Sequence, residues 1–276
     1  MIIGKAISPF ALRKKNGGGG GTDADAQAFI TATGISGTNA TATNQLVIDL
    51  KTANIWTKMK AVYPMVGGTA TTCKFNLKNP VDSNAAYRLV FNGGGTFSAN
   101  GYLPNGTNAY ANTFLGPSTN FNNTTFNHLS YYSRTNSAVA FEYAMGSSAT
   151  GSMSMIIRRD TNLGYGFSDY VSGTTYRGAS GSVTNSLGLF TFSQKGTTAK
   201  LFKNNTTVAS NTIAASNFAL STNAIVLGAI NDTASVNGYT NKQCAFASIG
   251  DGLTDAEALA LYNAVQLFNT TLGRQV

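Results

Sequence analysis

The chain has 276 residues, 42% of them hydrophobic, with only 11% charged and a formal net charge of +8. Soluble domains usually carry ~25% charged residues, and helix surfaces draw on Glu, Lys and Arg, so a long helical bundle is excluded. Sixteen Phe and twelve Tyr exclude a disordered chain and favour short strands, many turns and an uncharged polar surface.

The chain opens with a short apolar stretch at 2–10, a basic run Arg13-Lys14-Lys15, and five glycines at 17–21. Consecutive glycines have no side chains to pack and maximal backbone freedom, so they read as a tether. Residues 1–22 are expected to be an arm that docks onto another protein through Ile3, Phe10, Arg13, Lys14 and Lys15; a disordered terminus is the alternative. Neither a secretion-type apolar core nor a run of ~18 apolar residues is present, so no membrane insertion is expected.

Residues 23–56 form a short helical segment in this reading. The stretch 23–32 carries Asp23 and Asp25 near its start, where the helix dipole favours them. In 39–53, Leu46, Val47 and Leu50 lie on one stripe, with Trp56, the chain's single tryptophan, as a packing anchor beyond it.

From 57 to 276 the pattern is that of a sandwich. Apolar, β-branched or aromatic runs recur at 59–66, 74–77, 87–91, 128–133, 139–145, 153–158, 187–193, 199–203, 207–209, 224–230 and 243–249, separated by Gly, Asn and Ser. Such spacing suits antiparallel β-structure. The chain closes with a helix. Thr254 and Glu257 make a capping box, Ala258, Leu261, Val265, Phe268 and Leu272 make an apolar face, and Gly273 supplies the stop.

The hairpin around Leu189-Phe190-Thr191-Phe192 and Lys200-Leu201-Phe202-Lys203-Asn204-Asn205 resembles that of laminin G-like (concanavalin A-like) domains, with Asn205 where those domains have glycine. The run Phe246 to Glu257, ending in Leu261-Tyr262, resembles their last strand and closing helix. The resemblance implies an all-β concanavalin A/laminin G-like jelly-roll sandwich with short N-terminal helices, a C-terminal helix and an extended N-terminal arm. Segments around Trp56 to Ala70, Lys74 to Lys78, Asn105 to Thr113 and Thr270 to Val276 are similar to virion proteins of tailed bacteriophages, of the tail-fibre, head-fibre or decoration type. That likeness implies a virion component assembled in the host cytoplasm. Its expected partners are other virion proteins through the arm, and its fibre-like relatives imply a homo-oligomer, a trimer.

Candidate chemistry is sparse. The two glutamates, Glu142 and Glu257, are not spaced as the paired carboxylates of a retaining glycosidase. Glu257 reads as a helix cap. The single histidine, His128, reads as a partly buried strand residue rather than a triad member. No phosphate loop, nucleophile elbow or dinucleotide fingerprint is present, and no cofactor is expected. Asp160, Asp169, Asp232 and Asp251 lack Ca²⁺-loop spacing, so metal is unassigned. Cys73 and Cys244 read as buried free thiols in strands, with one bridge left open.

The basic residues are scattered, which argues against specific nucleic-acid binding. A solvated basic surface is expected; attraction to an acidic polysaccharide is the alternative, weakened by salt. The aromatic loop region of Tyr165, Tyr170, Tyr176 and Arg177 could stack on sugar rings or simply fill the second sheet. The expected function is a non-enzymatic virion structural protein that contributes to host attachment. A carbohydrate-binding module recognising a host cell-surface glycan is the alternative, with a polysaccharide-degrading enzyme behind it.

Overall fold

The computed structural model describes residues 21–122, 126–149, 151–171, 175–213 and 220–276, with the side chains of 169–171 and 175–177 excepted. The arm residues Ile3, Phe10, Arg13, Lys14 and Lys15 lie outside the described residues.

Two helices come first, α1 (Ala24–Thr33) and α2 (Gly37–Thr52). A turn of 3-10 helix then leads into β1 (Met59–Tyr63). After α3 (Ala70–Cys73) follow β2 (Val90–Asn92), β3 (Thr96–Ser98), β4 (Gly101–Leu103) and β5 (Tyr110–Asn112). Beyond α4 (Pro117–Asn120) lie β6 (Phe126–Ser133), β7 (Met145–Ser148), β8 (Ser152–Ile156), β9 (Leu163–Val171) and β10 (Thr175–Ser182). Then come β11 (Gly188–Lys195), β12 (Thr198–Lys203), β13 (Thr206–Thr212), and the short β14 (Val226–Leu227), β15 (Ile230–Asn231) and β16 (Val236–Asn237). The chain ends with β17 (Cys244–Gly250) and α5 (Asp255–Thr271).

The strands form two sheets. Among the described residues, one has eight strands in the order β13-β12-β11-β6-β17-β4-β3, with β1 added on β17; the other has nine, in the order β10-β9-β8-β7-β14-β5-β2, with β15 beside β7 and β16 beside β15. Strand side chains alternate between faces, and this alternation builds the core. On β11, Phe190 and Phe192 point between the sheets, where they meet Leu129, Tyr131, Met153, Met155 and Ile249. Leu189, on the opposite face, belongs to a second cluster with Tyr132, Phe202 and Phe246.

Helices cover that second cluster. Leu46, Val47 and Leu50 of α2 and Leu261, Val265 and Phe268 of α5 pack onto the outer face of the eight-stranded sheet. Each such side chain buried stabilises the fold by roughly 1.5–3 kcal/mol. The α5 capping box forms as expected, with the Thr254 hydroxyl accepting the Glu257 amide at 3.3 Å and Glu257 accepting the Thr254 amide at 2.8 Å. Trp56 is buried, and its indole N–H donates to Asp25 at 3.0 Å. Just beyond α5, the buried Arg274 guanidinium donates to the carbonyls of Pro64, Met65, Ala99 and Ala245 and to the Asn269 side chain. It pins the C-terminus to the sheet.

Several expected details differ. The runs 74–77 and 139–145 are not strands except for Met145, which begins β7. In the first, Asn76 bends away to bond Val62 at 2.9 Å and Ala86 at 3.1 Å. In the β12–β13 turn the positive φ falls on Asn204, at 54°, rather than on Asn205. Cys73 and Cys244 are both free and buried, but Cys73 ends helix α3 rather than lying in a strand.

Candidate functional site

Among the described residues, the outer face of the nine-stranded sheet carries aromatic rings instead of helices. The segment 165–170, expected as a loop, is strand β9, paired with β10 over eight positions that include Tyr176 opposite Tyr170. Its glycines explain why. A Cβ on Gly166 would lie 2.2 Å from the Phe192 ring, so this position faces the core and needs glycine. By alternation, Tyr165 and Phe167 face outward. Their rings stack at 5.7 Å, with Arg159 6.0 Å from the Tyr165 ring centre.

Tyr165 pairs across the sheet with Ile156 of β8. Ile156 joins Tyr143 and Ile230 in a third apolar cluster, against which Tyr165 and Phe167 pack. Phe141 completes the platform. It is 54% exposed and stands edge-on to Tyr143 at 5.4 Å.

The segment bearing Phe141 and Tyr143 is irregular, yet it is tightly held. The Tyr143 amide donates to the Gly238 carbonyl at 2.7 Å. Gly238, with φ of 61°, lies so close to Tyr143 that a Cβ would sit 2.7 Å from its ring. Between the two aromatics, Glu142 turns inward to form a buried ion pair with Lys242 and accepts the Thr240 hydroxyl at 2.5 Å. Burial pulls the Lys242 ammonium down to about 7, against which the touching carboxylate works. A buried pair of this kind adds little net stability but fixes geometry, because either charge left alone would be costly.

Beside the rings opens a cleft of about 270 Å³. Phe141, Tyr143 and Ile230 form its apolar side; Ser148, Ser152, Asp232, Thr233 and Asn237 supply donors and acceptors. An aromatic surface edged with hydroxyl, amide and carboxylate groups can pack on the C–H face of a sugar ring and bond its hydroxyls.

Of the four residues expected at a glycan site, Tyr165 stands on this platform. Tyr170, Tyr176 and Arg177 lie on β9 and β10, with side chains outside the described set. Phe141, Tyr143, Arg159, Asp232 and Asn237 were not singled out as ligand contacts. The alternation of Phe141 and Tyr143 around Glu142 was the available signal.

The catalytic candidates are engaged elsewhere. Glu142 is in the buried pair, and Glu257 caps α5 and bridges to Lys58 at 2.6 Å. His128 is fully buried rather than partly so, with burial pushing it down to about 4. Its Nδ1–H donates to the Asp251 carbonyl at 2.7 Å, so Nε2 accepts the Ser248 hydroxyl at 3.1 Å. Among the described residues, no three His, Cys, Asp or Glu side chains are grouped to hold a metal ion.

No family model and no curated protein matches the chain. Solved structures do. Domain 4 of AbnA, a GH43 extracellular arabinanase from Geobacillus stearothermophilus, in complex with arabinotriose, superposes with a TM-score of 0.50 at 12% identity, covering 74% of this chain and 98% of that domain. A chain of botulinum neurotoxin type C, a toxin that depends on two ganglioside molecules to get into cells, matches with a TM-score of 0.50 at 12% identity, over 78% of this chain and 53% of its own. At this identity the likeness concerns the fold: the chain is a jelly-roll-like sandwich of two antiparallel sheets with a C-terminal helix.

Proposed function

We propose that the protein is a non-catalytic carbohydrate-binding module whose ligand lies on the outer face of the nine-stranded sheet. The observation that carries this reading is the platform of Phe141, Tyr143, Tyr165 and Phe167 beside a polar-edged cleft. The similar sandwiches add support, one having been captured with arabinotriose and the other being tied to gangliosides. Binding without cleavage fits the use of both glutamates in structural roles.

The test is a glycan array probed with the full chain, followed by calorimetry on the best oligosaccharide. Phe141→Ala and Tyr165→Ala each lower the affinity about tenfold. Unchanged binding by both variants, or release of new reducing ends from the bound glycan, contradicts the reading.

Display from a bacteriophage particle is the setting implied by the sequence resemblance and by the glycine run at 17–21. The similar sandwiches do not bear on it. In that setting many copies would turn weak sugar contacts into avidity. Deleting residues 1–22 should leave a folded glycan-binding body that no longer incorporates into particles; normal incorporation contradicts the anchoring role.

A further inference from the structure

On the eight-stranded sheet, where β1, β6 and β11 meet the turn after β17, lies a second cleft of about 470 Å³. Its floor is built by backbone ties. A Cβ on Gly250 would sit 2.2 Å from the Lys58 carbonyl oxygen, and one on Gly252 would sit 2.1 Å from that of Gln194. The Asp251 amide donates to the Lys58 carbonyl at 2.9 Å, and its own carbonyl takes the buried His128 N–H at 2.7 Å. The turn is therefore clamped from both sides, and the Asp251 carboxylate is held at the cleft.

The walls hold cations with different commitments. Lys58 is bound to Glu257 at 2.6 Å. Lys60 meets Asp251 at 3.2 Å and lies over the Phe121 ring at 5.3 Å. Lys195 has no carboxylate partner among the described residues. It borders both this cleft and an adjoining one of about 230 Å³. It is also the cross-strand partner of Phe126, a ring left 45% exposed at the same opening. Directly paired residues of antiparallel strands project on the same side. An open aromatic face and an uncommitted ammonium thus stand together above a clamped carboxylate, with the exposed amide of Asn122 alongside.

We propose that this cleft is a second glycan site, selective for sugars that carry a carboxylate. The ring of such a sugar covers Phe126, its carboxylate meets Lys195, and its hydroxyls bond Asp251 and Asn122. The net charge of +8 draws an acidic glycan towards the protein, an attraction that salt screens. The ligand class rests on the glycan-binding reading above, but the site shares no residue with the platform.

The experiment is calorimetric titration of the full chain with trigalacturonate and with sialyllactose, against the fully methyl-esterified trimer and lactose, at low and high salt. An acidic sugar binds more tightly than its uncharged counterpart, and salt weakens it. Lys195→Gln lowers that affinity about fivefold and Lys195→Arg restores most of it. Phe126→Ala has a comparable effect, whereas Tyr165→Ala leaves the preference for the charged over the uncharged sugar, and its salt dependence, in place. No binding of either acidic sugar, equal binding of the charged and uncharged forms, or a loss with Tyr165→Ala but not with Lys195→Gln overturns the proposal. A blank here with glycan binding retained at the platform removes only this second site.

Discussion

The eight-stranded sheet gives the middle of its outer face to helices, whereas the nine-stranded sheet leaves part of its outer face to a clamped loop and open rings. On the first, Tyr132, Leu189, Phe202 and Phe246 disappear beneath α2 and α5. On the second, Tyr165, Phe167 and Phe141 keep contact with solvent, although Tyr143, Ile156 and Ile230 beneath them are buried. Both faces are apolar at the base, so burial alone does not tell them apart. What separates them is the cover. Helices spend a face on stability, while a loop held by an ion pair and a glycine contact holds rings in place without enclosing them. Rings that are fixed yet accessible are what a weak, stacking ligand needs, because little side-chain entropy remains to be lost on binding.

The helix-covered side should therefore break through stability, and the platform through binding. The largest effect is expected at Arg274, whose guanidinium is buried against four carbonyls and an amide. Arg274→Ala leaves several buried acceptors without donors and should cost about 3–5 kcal/mol, read as a lowered urea midpoint. Sugar affinity per folded molecule should stay unchanged. Leu261→Ala, fully buried beneath the helix cover, should cost about 3 kcal/mol, again without altering affinity. A glycan affinity that falls with either variant while the protein stays folded would erase the distinction between the faces.

Acid provides a third probe of the same side. His128 has a folded value of about 4 against 6.5 unfolded. The unfolded chain takes up the proton first, so the contribution of His128 to stability is full above pH 6.5, falls as the pH drops towards 4, and levels off below. At about 1.4 kcal/mol per unit over this interval, the loss comes to about 3–4 kcal/mol. Thermal unfolding across this range should show the fall, and His128→Gln should flatten it. The smallest stability effect is expected on the platform. Phe141→Ala, at a half-exposed position, should shift stability by less than about 1 kcal/mol while removing most of the sugar affinity.

The two faces also differ in how far they can be read from the sequence. Helix α5 announces itself through Thr254, Glu257 and the spacing of Leu261, Val265 and Phe268, all local signals. Strands β9 and β10 do not. Gly164, Gly166, Gly178 and Gly181 interrupt the apolar pattern and imitate a loop. Those glycines are there because the facing strand puts Phe192 against Gly166, and because Val208 leaves no room for a Cβ on Gly181. The platform is harder still. Phe141 and Tyr143 gain their setting from Gly238, Thr240 and Lys242, about a hundred residues later, and no local pattern links Glu142 to Lys242. Tyr165 could be picked out because it belongs to an aromatic-rich run, whereas Arg159, in the short connection between β8 and β9, has no aromatic beside it in the sequence to mark it.

The most direct test is a crystal structure of the full chain with the tightest-binding neutral oligosaccharide from the array. The account predicts a sugar ring lying against Phe141 or the Tyr165–Phe167 stack, with hydroxyls at Asp232 or Asn237. A sugar bound over α2 and α5, or enclosed between two carboxylates, would contradict it.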